Sequence, residues 1–339
     1  MAHRVRIAES SQAFEVAAGE TILAAALRSN VDLAHDCQLG GCGTCRIRLL
    51  EGAVAYDEFP LALTPEEEAA GYALACQARP RSDLVIRPAR ALAEAPEPAR
   101  HAAVVRAVMP ASPLVTRLVL DIPAVERVDF LPGQHMNVIM PDGGARSFSM
   151  ASKPGGNRVD FHIRRVERGA FTDLRLSCLR PGDVLEVDLP LGAFHFHAED
   201  DRPLLLVATG TGLAPLKSML DALMDDPDCP PVSLYWGTRT AADLYIRDEI
   251  AAWKSRLYEF NYVPVLSRAD AAWPGRRGHV QDAVTTDLTD LSEHAIYLCG
   301  SPEMIASAKP SFIARGASIE RIYSEGFLLN NRGTSRSVD

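Results

Sequence analysis

Four of the seven cysteines crowd the first quarter of this 339-residue chain, and their spacing is specific enough to carry chemistry. In His35-Asp36-Cys37-Gln38-Leu39-Gly40-Gly41-Cys42-Gly43-Thr44-Cys45 the thiols are separated by four and then two residues, and Cys76 follows after thirty more. Three thiolates from one loop and a fourth from a distance is the ligand spacing of a plant-type [2Fe–2S] cluster. Such a loop must wrap closely around its cluster. Gly40, Gly41 and Gly43 permit positive φ and let backbone N–H groups approach the sulfurs, where they offset negative charge and help set the potential. The rival is a structural zinc, also held by four cysteines. Zinc sites usually pair their ligands as two C-x-x-C knuckles, whereas this chain has one pair, an offset cysteine and a lone distant one. Cys178, Cys229 and Cys299 are scattered.

Two glycine turns suggest a second site. Thr209-Gly210-Thr211-Gly212-Leu213-Ala214-Pro215 follows a buried-strand run and opens a helix striped by Leu213, Leu216, Leu220 and Leu223. Glycines there let a pyrophosphate reach the helix N-terminus. The third glycine of G-x-G-x-x-G is missing, so the ordinary dinucleotide fingerprint does not apply and a plain strand–helix turn stays open. Cys299-Gly300-Ser301-Pro302-Glu303-Met304 makes a similar turn, in which Cys299 by itself reads as a buried strand cysteine. Two such turns at the C-terminal ends of parallel strands point to one crevice. Two further segments say less alone. Arg146-Ser147-Phe148-Ser149 combines a cation for a pyrophosphate, an aromatic for a flavin and hydroxyls for its ring edge, but a surface arginine beside a core phenylalanine reads the same way. Gly169-Ala170-Phe171-Thr172 suits a turn that opens a helix with N–H groups free for phosphate.

The elements that must hold these residues change character along the chain. Val5, Ile7, Phe14 and Val16 alternate with polar residues as an opening hairpin, Ile22 to Leu27 give a short helix, and Arg46–Leu50 and Leu84–Ile86 are further strands. A small mixed sheet ending near residue 90 follows. Residues 89–100 are rich in Ala and Pro, which suits a semi-extended linker. Short strands then recur at Val115–Leu120, Met136–Met140, Val159–Arg165 and Val184–Val187, the rhythm of an antiparallel barrel with the Arg146–Ser149 segment at a strand end. After Pro203 strands alternate with helices: Leu204–Ala208, Val232–Trp236, Tyr262–Leu266 and Ala295–Cys299 mark a parallel sheet.

In this order the segments resemble the ferredoxin–NAD(P) reductase superfamily, and more narrowly the single-chain reductases of bacterial oxygenases, over residues 1–327. The resemblance implies a multidomain α+β chain: a β-grasp ferredoxin domain over 1–92, a linker over 93–100, an antiparallel β-barrel FAD domain over 101–200, and an α/β parallel-sheet nicotinamide domain over 201–339 with a C-terminal tail. It further implies that Cys37, Cys42, Cys45 and Cys76 bind the cluster. Arg146 would face the FAD pyrophosphate and Ser149 the flavin N5. Ser147 lies in the same motif, where Phe148 replaces the usual Tyr and keeps ring packing without the hydroxyl. Gly169, Ala170, Phe171 and Thr172 match the second flavin motif. Thr209, Gly210, Thr211 and Gly212 match the nicotinamide pyrophosphate turn. Cys299 and Gly300 lie where the family's cysteine approaches the nicotinamide, and Phe327 is similar to the late aromatic that covers the flavin.

By the same resemblance the chain is an NAD(P)H-dependent oxidoreductase that passes electrons from NADPH or NADH through FAD and the cluster to a terminal oxygenase. Ser267 and Arg268 resemble 2′-phosphate contacts and Arg239 is a further candidate, so the reading leans to NADPH. The pattern is similar to terephthalate-type dioxygenase reductases, with a Rieske aromatic-ring dioxygenase as the expected partner. Alternatives are a di-iron monooxygenase, a dehydrase of sugar deoxygenation, or a carrier or zinc module that is no enzyme. A net charge of −9 argues against nucleic acid, and with no signal-peptide core and no membrane-length apolar run a cytoplasmic protein is expected.

Overall fold

The computed structural model describes residues 2–35, 37–89 and 96–327. The opening hairpin forms as expected, His3–Ile7 pairing antiparallel with Ala13–Val16. It joins a five-stranded mixed sheet ordered Ala13–Val16, His3–Ile7, Leu84–Pro88, Arg46–Glu51, Tyr72–Leu74. Helix Ile22–Arg28 crosses it, started by Thr21, whose side chain accepts from the Ala24 N–H. The β-strand alternation of the sequence becomes a one-sided core of Val5, Ile7, Phe14, Val16, Ile22 and Leu23. A second, five-residue helix, Pro65–Ala69, escapes sequence reading because it is too short for a periodic signal. Its start is a capping box: Thr64 accepts from the Glu67 N–H, and the Glu67 carboxylate accepts from the Thr64 N–H.

The barrel begins earlier than the expected linker end. Residues 90–95 lie outside the described residues, and the long strand Ala99–Ser112 already occupies positions 99 and 100. Six strands run in the order Ala145–Ser149, His135–Ile139, Val184–Leu191, Ala99–Ser112, Val115–Asp121, Arg158–Arg164. A bridge between Met150 and Phe161 joins the two outer strands, so the sheet curls round on itself. Arg146 to Ser149 form a strand themselves rather than its end.

The last domain is a six-stranded parallel sheet ordered Arg276–Arg277, Phe260–Leu266, Val232–Thr238, Leu204–Thr209, Ala295–Gly300, Ile322–Gly326. The strand order reverses between Leu204–Thr209 and Ala295–Gly300, which places both glycine turns at the switch point where such sheets open a crevice. Helix Leu213–Leu223 buries the leucine stripe read from the sequence. No described helix is long and apolar enough to cross a membrane.

Candidate redox site

The four cysteines come together as two pairs. Cys37 hydrogen-bonds with Cys42, and Cys45 with Cys76. Two such pairs suit two irons that take two thiolates each. Backbone amides close on the sulfurs as the glycine content suggests: the N–H groups of Leu39, Gly41 and Cys42 reach Cys37, and that of Gly40 reaches Cys76. The Cys42 contact, working against burial and helped by those amides, brings the Cys37 thiol down to about 6. The contact with Cys76, together with burial, pushes Cys45 up. Gly40 and Gly43 take positive φ, and Gln38 does so too, which its side chain did not advertise. Cys42, Cys45 and Cys76 are buried while Cys37 is half-buried, so the loop turns one edge to solvent.

The flavin segments meet on the barrel. Phe148 and Phe171 lie with ring centroids 5.1 Å apart, and Ser147 donates to Asn137 Oδ1 across the strand pair at 2.7 Å. Gly169 precedes a π-helical turn over Ala170–Arg175. A Cβ on Gly169 would stand 2.3 Å from Thr172 Oγ1, so the glycine is needed where Thr172 folds back onto Val166. Arg146 is half-buried and hydrogen-bonds its own neighbour, Ala145 O, at 2.8 Å.

The two nicotinamide turns pack against one another. A Cβ on Gly212 would fall 2.3 Å from Cys299 O, and one on Gly300 2.3 Å from Thr209 Oγ1. Both glycines therefore serve close approach of backbone to backbone. Gly210, at φ +54°, is different: a Cβ there would meet nothing within 4 Å, and its carbonyl is held by Trp236 Nε1 at 2.9 Å. Thr209 Oγ1 accepts from the Ser301 N–H, which ties the turns together, and Thr211 is buried between them. Ser267 and Arg268 are exposed and lie on the neighbouring strand end. Their N–H groups donate to Thr238 O and Arg239 O, which gathers Arg239, Ser267 and Arg268 into one patch.

One residue unites these parts, and sequence reading passed over it. Glu325, on the last strand, accepts from Ser149 Oγ at 3.3 Å and lies 4.0 Å from Cys299 Sγ. Its other oxygen is 3.8 Å from His135 Nδ1. Ser149 and His135 are themselves cross-strand partners. Burial, reinforced by Glu325, holds the Cys299 thiol protonated well past neutrality. The Phe327 N–H donates to Gly300 O at 2.8 Å, so the late aromatic is anchored beside Cys299. A carboxylate inside an otherwise buried strand was the available signal. The same strand also touches the cysteine loop: a Cβ on Gly326 would lie 2.5 Å from Gly41 O.

Three family profiles match in the order of the domains: a 2Fe–2S iron–sulfur cluster binding domain over residues 5–81, an oxidoreductase FAD-binding domain over 102–196, and an oxidoreductase NAD-binding domain over 206–310. The likeness to one curated protein spans both chains: terephthalate 1,2-dioxygenase reductase component 1 of a Comamonas species is 32% identical over 337 residues, covering 98% of this chain and all of that one. The chain belongs to the iron–sulfur flavoprotein reductases. Another full-length relative of these reductases is a CDP-6-deoxy-L-threo-D-glycero-4-hexulose-3-dehydrase reductase of Yersinia pseudotuberculosis, 33% identical over 97% of this chain and 99% of its own. Among solved structures, the Amycolatopsis cytochrome P450 reductase GcoB superposes with a TM-score of 0.69 at 33% identity, covering 96% of this chain and 98% of that one. This reductase is an NAD(P)H-dependent oxidoreductase with sites for a [2Fe–2S] cluster, FAD and a nicotinamide.

Proposed function

We propose that this chain is the reductase component of a multicomponent oxygenase, taking hydride from NADPH and delivering electrons singly to a Rieske aromatic-ring dioxygenase. The observation that carries the relay is the strand Ile322–Gly326. Glu325 on it touches both the barrel serine and the nicotinamide-domain cysteine, while Gly326 abuts the cysteine loop. On this reading the donor, flavin and cluster sites share one wall. A bound flavin supplies the change from paired to single electrons, and the chain supplies orientation and redox tuning. Ser149 presents a hydroxyl where the flavin edge is expected, and Glu325 fixes that hydroxyl. Cys299 backs the nicotinamide crevice as a neutral thiol. Phe148, backed by the buried ring of Phe171, gives an aromatic surface for the flavin, and Arg146 is the cation for its pyrophosphate.

Cys42→Ser tests the relay: reduction of cytochrome c by NADPH is expected to vanish, while reduction of ferricyanide, which the flavin serves directly, largely persists. If both survive unchanged, the cluster is off the path. The Arg239, Ser267 and Arg268 patch supports NADPH, and initial rates with each cosubstrate decide it; a tenfold preference for NADH would sink that reading. The partner is supported by full-length likeness to a terephthalate dioxygenase reductase. An equally full-length likeness favours a second reading, electron supply to a sugar dehydrase. Reconstitution with each type of terminal enzyme separates the two.

A further inference from the structure

A knot of buried charge lies at the seam between the ferredoxin and nicotinamide domains. Lys309, on helix Pro302–Ile313, is 2% exposed, and Glu67 is 1% exposed. Lys309 Nζ donates to the two Glu67 carboxylate oxygens at 3.2 and 3.4 Å, and Arg46 Nη1 donates to one of them at 2.7 Å. Two cations thus meet on one carboxylate. As a source of stability such a group is a poor choice, because desolvation offsets most of the attraction and apolar residues would serve as well. Its placement is more telling. Arg46 directly follows the ligand Cys45. Lys309 Nζ also donates to Ala62 O at 2.9 Å, and the Ala62 N–H donates to Gly40 O at 2.9 Å. Ala62 packs behind Gly43 as well, where a Cβ would stand 3.6 Å from its methyl. The Lys309 ammonium is therefore seated on the segment that backs the cysteine loop, shielded from water, where a charge is felt over distance.

We propose that Arg46 and Lys309, held by Glu67, form an electrostatic counterpart to the iron–sulfur cluster, part of it delivered across the domain interface, so that docking of the ferredoxin domain raises the cluster's reduction potential. The proposal rests on the reading that the four cysteines hold a [2Fe–2S] cluster. Reduction adds an electron to a group already made anionic by four thiolates, and nearby positive charge favours the reduced form. Arg46 and Lys309 touch no reacting atom. They are positioning residues that act through their field.

The test is a redox titration of the full-length holoprotein, followed by the cluster's EPR signal. Lys309→Met removes a positive charge and is expected to disfavour cluster reduction on the order of tenfold, which for one electron is about 59 mV. Glu67→Gln removes a negative charge and shifts the potential the other way. The double variant Glu67→Gln/Lys309→Met returns it towards wild type, and Lys309→Arg leaves it in place. A mechanical clamp would behave differently, since loosening the seam exposes the cluster in either single variant and moves both potentials alike. Shifts of the same sign, or Lys309→Met and Lys309→Arg titrating together, overturn the proposal. Should Glu67→Gln fail to fold, the Met and Arg variants of Lys309 decide alone. A wild-type protein lacking the cluster's absorption fails the cluster reading first, and its spectrum tells that failure apart.

Discussion

His162, in the barrel strand Arg158–Arg164, has its Nδ1 3.2 Å from the Tyr245 hydroxyl of the neighbouring domain. Burial, with the cations Lys217 and Arg117 adding to it, brings its pKa from 6.5 down to about 3. The sign of the consequence follows from which state takes the proton. Below about pH 6.5 the unfolded chain protonates this imidazole while the folded one does not, so stability present above that pH drains as pH falls towards 3, by up to about 1.4 kcal/mol per unit. His162→Gln is expected to flatten this slope. Urea midpoints at pH 7, 6 and 5 for the two proteins measure it, and because both carry the same neighbouring acids the difference isolates the histidine. Parallel midpoints would mean that His162 is protonated in the folded state. Glu325 shows the other side of this scale. Its chemistry came from contacts with Ser149, Cys299 and His135, residues 176, 26 and 190 positions away, and no local pattern announces such a meeting.

At the level of elements, the strand Ile322–Gly326 is the one whose ends matter most. Gly326 does not adopt a left-handed φ, so Ala is conformationally acceptable there, yet its Cβ would collide with Gly41 O. Gly326→Ala is expected to cost about 1–3 kcal/mol through overpacking and to displace the cysteine loop from the strand. Stopped-flow mixing with NADPH should then show flavin reduction at its normal rate and a delayed bleaching of the cluster. Equal delays in both would place the damage in the nicotinamide crevice instead. The strands themselves were legible because alternation and turn residues mark them at short range: Val5 to Val16, Val159 to Arg165 and Leu204 to Ala208 all form near where the pattern puts them. The strand Ala99–Ser112 was not, since its first residues share the Ala/Pro-rich composition of the segment before it. The short helix Pro65–Ala69 carries its capping box in plain sight, but five residues hold no period.

For the molecule as a whole, the cysteine loop could be read from spacing because all but one of its four cysteines are neighbours in sequence. That the two glycine turns lie side by side could be inferred because parallel sheets place such turns together at the switch point. The seams could not. Arg46, Glu67 and Lys309 are ordinary charged residues until the fold buries them on one another. Ser218 Oγ on Ser152 O, and Tyr245 against His162, likewise join the barrel to the parallel sheet through residues with no motif. Burial opposes ionisation of Glu67, yet Lys309 and Arg46 keep its carboxyl below the usual range, so the seam stays charged at neutral pH. What the sequence encodes locally is each proposed cradle. What it encodes only through the complete fold is the distance between cradles.

The contact between Gly326 and Gly41 bears on how such chains can be rearranged. Three domains in a row invite treatment as cassettes, each exchangeable between relatives by recombination at the linkers. A seam that leaves no room for a methyl group, beside a carboxylate that must find its lysine on the far side, restricts that freedom. A transplanted ferredoxin domain lacking the counterpart of Glu67, or meeting a side chain at position 326, would fold and load its cluster yet sit askew on its host. Inheritance should therefore keep the cysteine loop, Arg46 and Glu67 together with Lys309 and the final strand as a single unit, however far apart they lie along the gene.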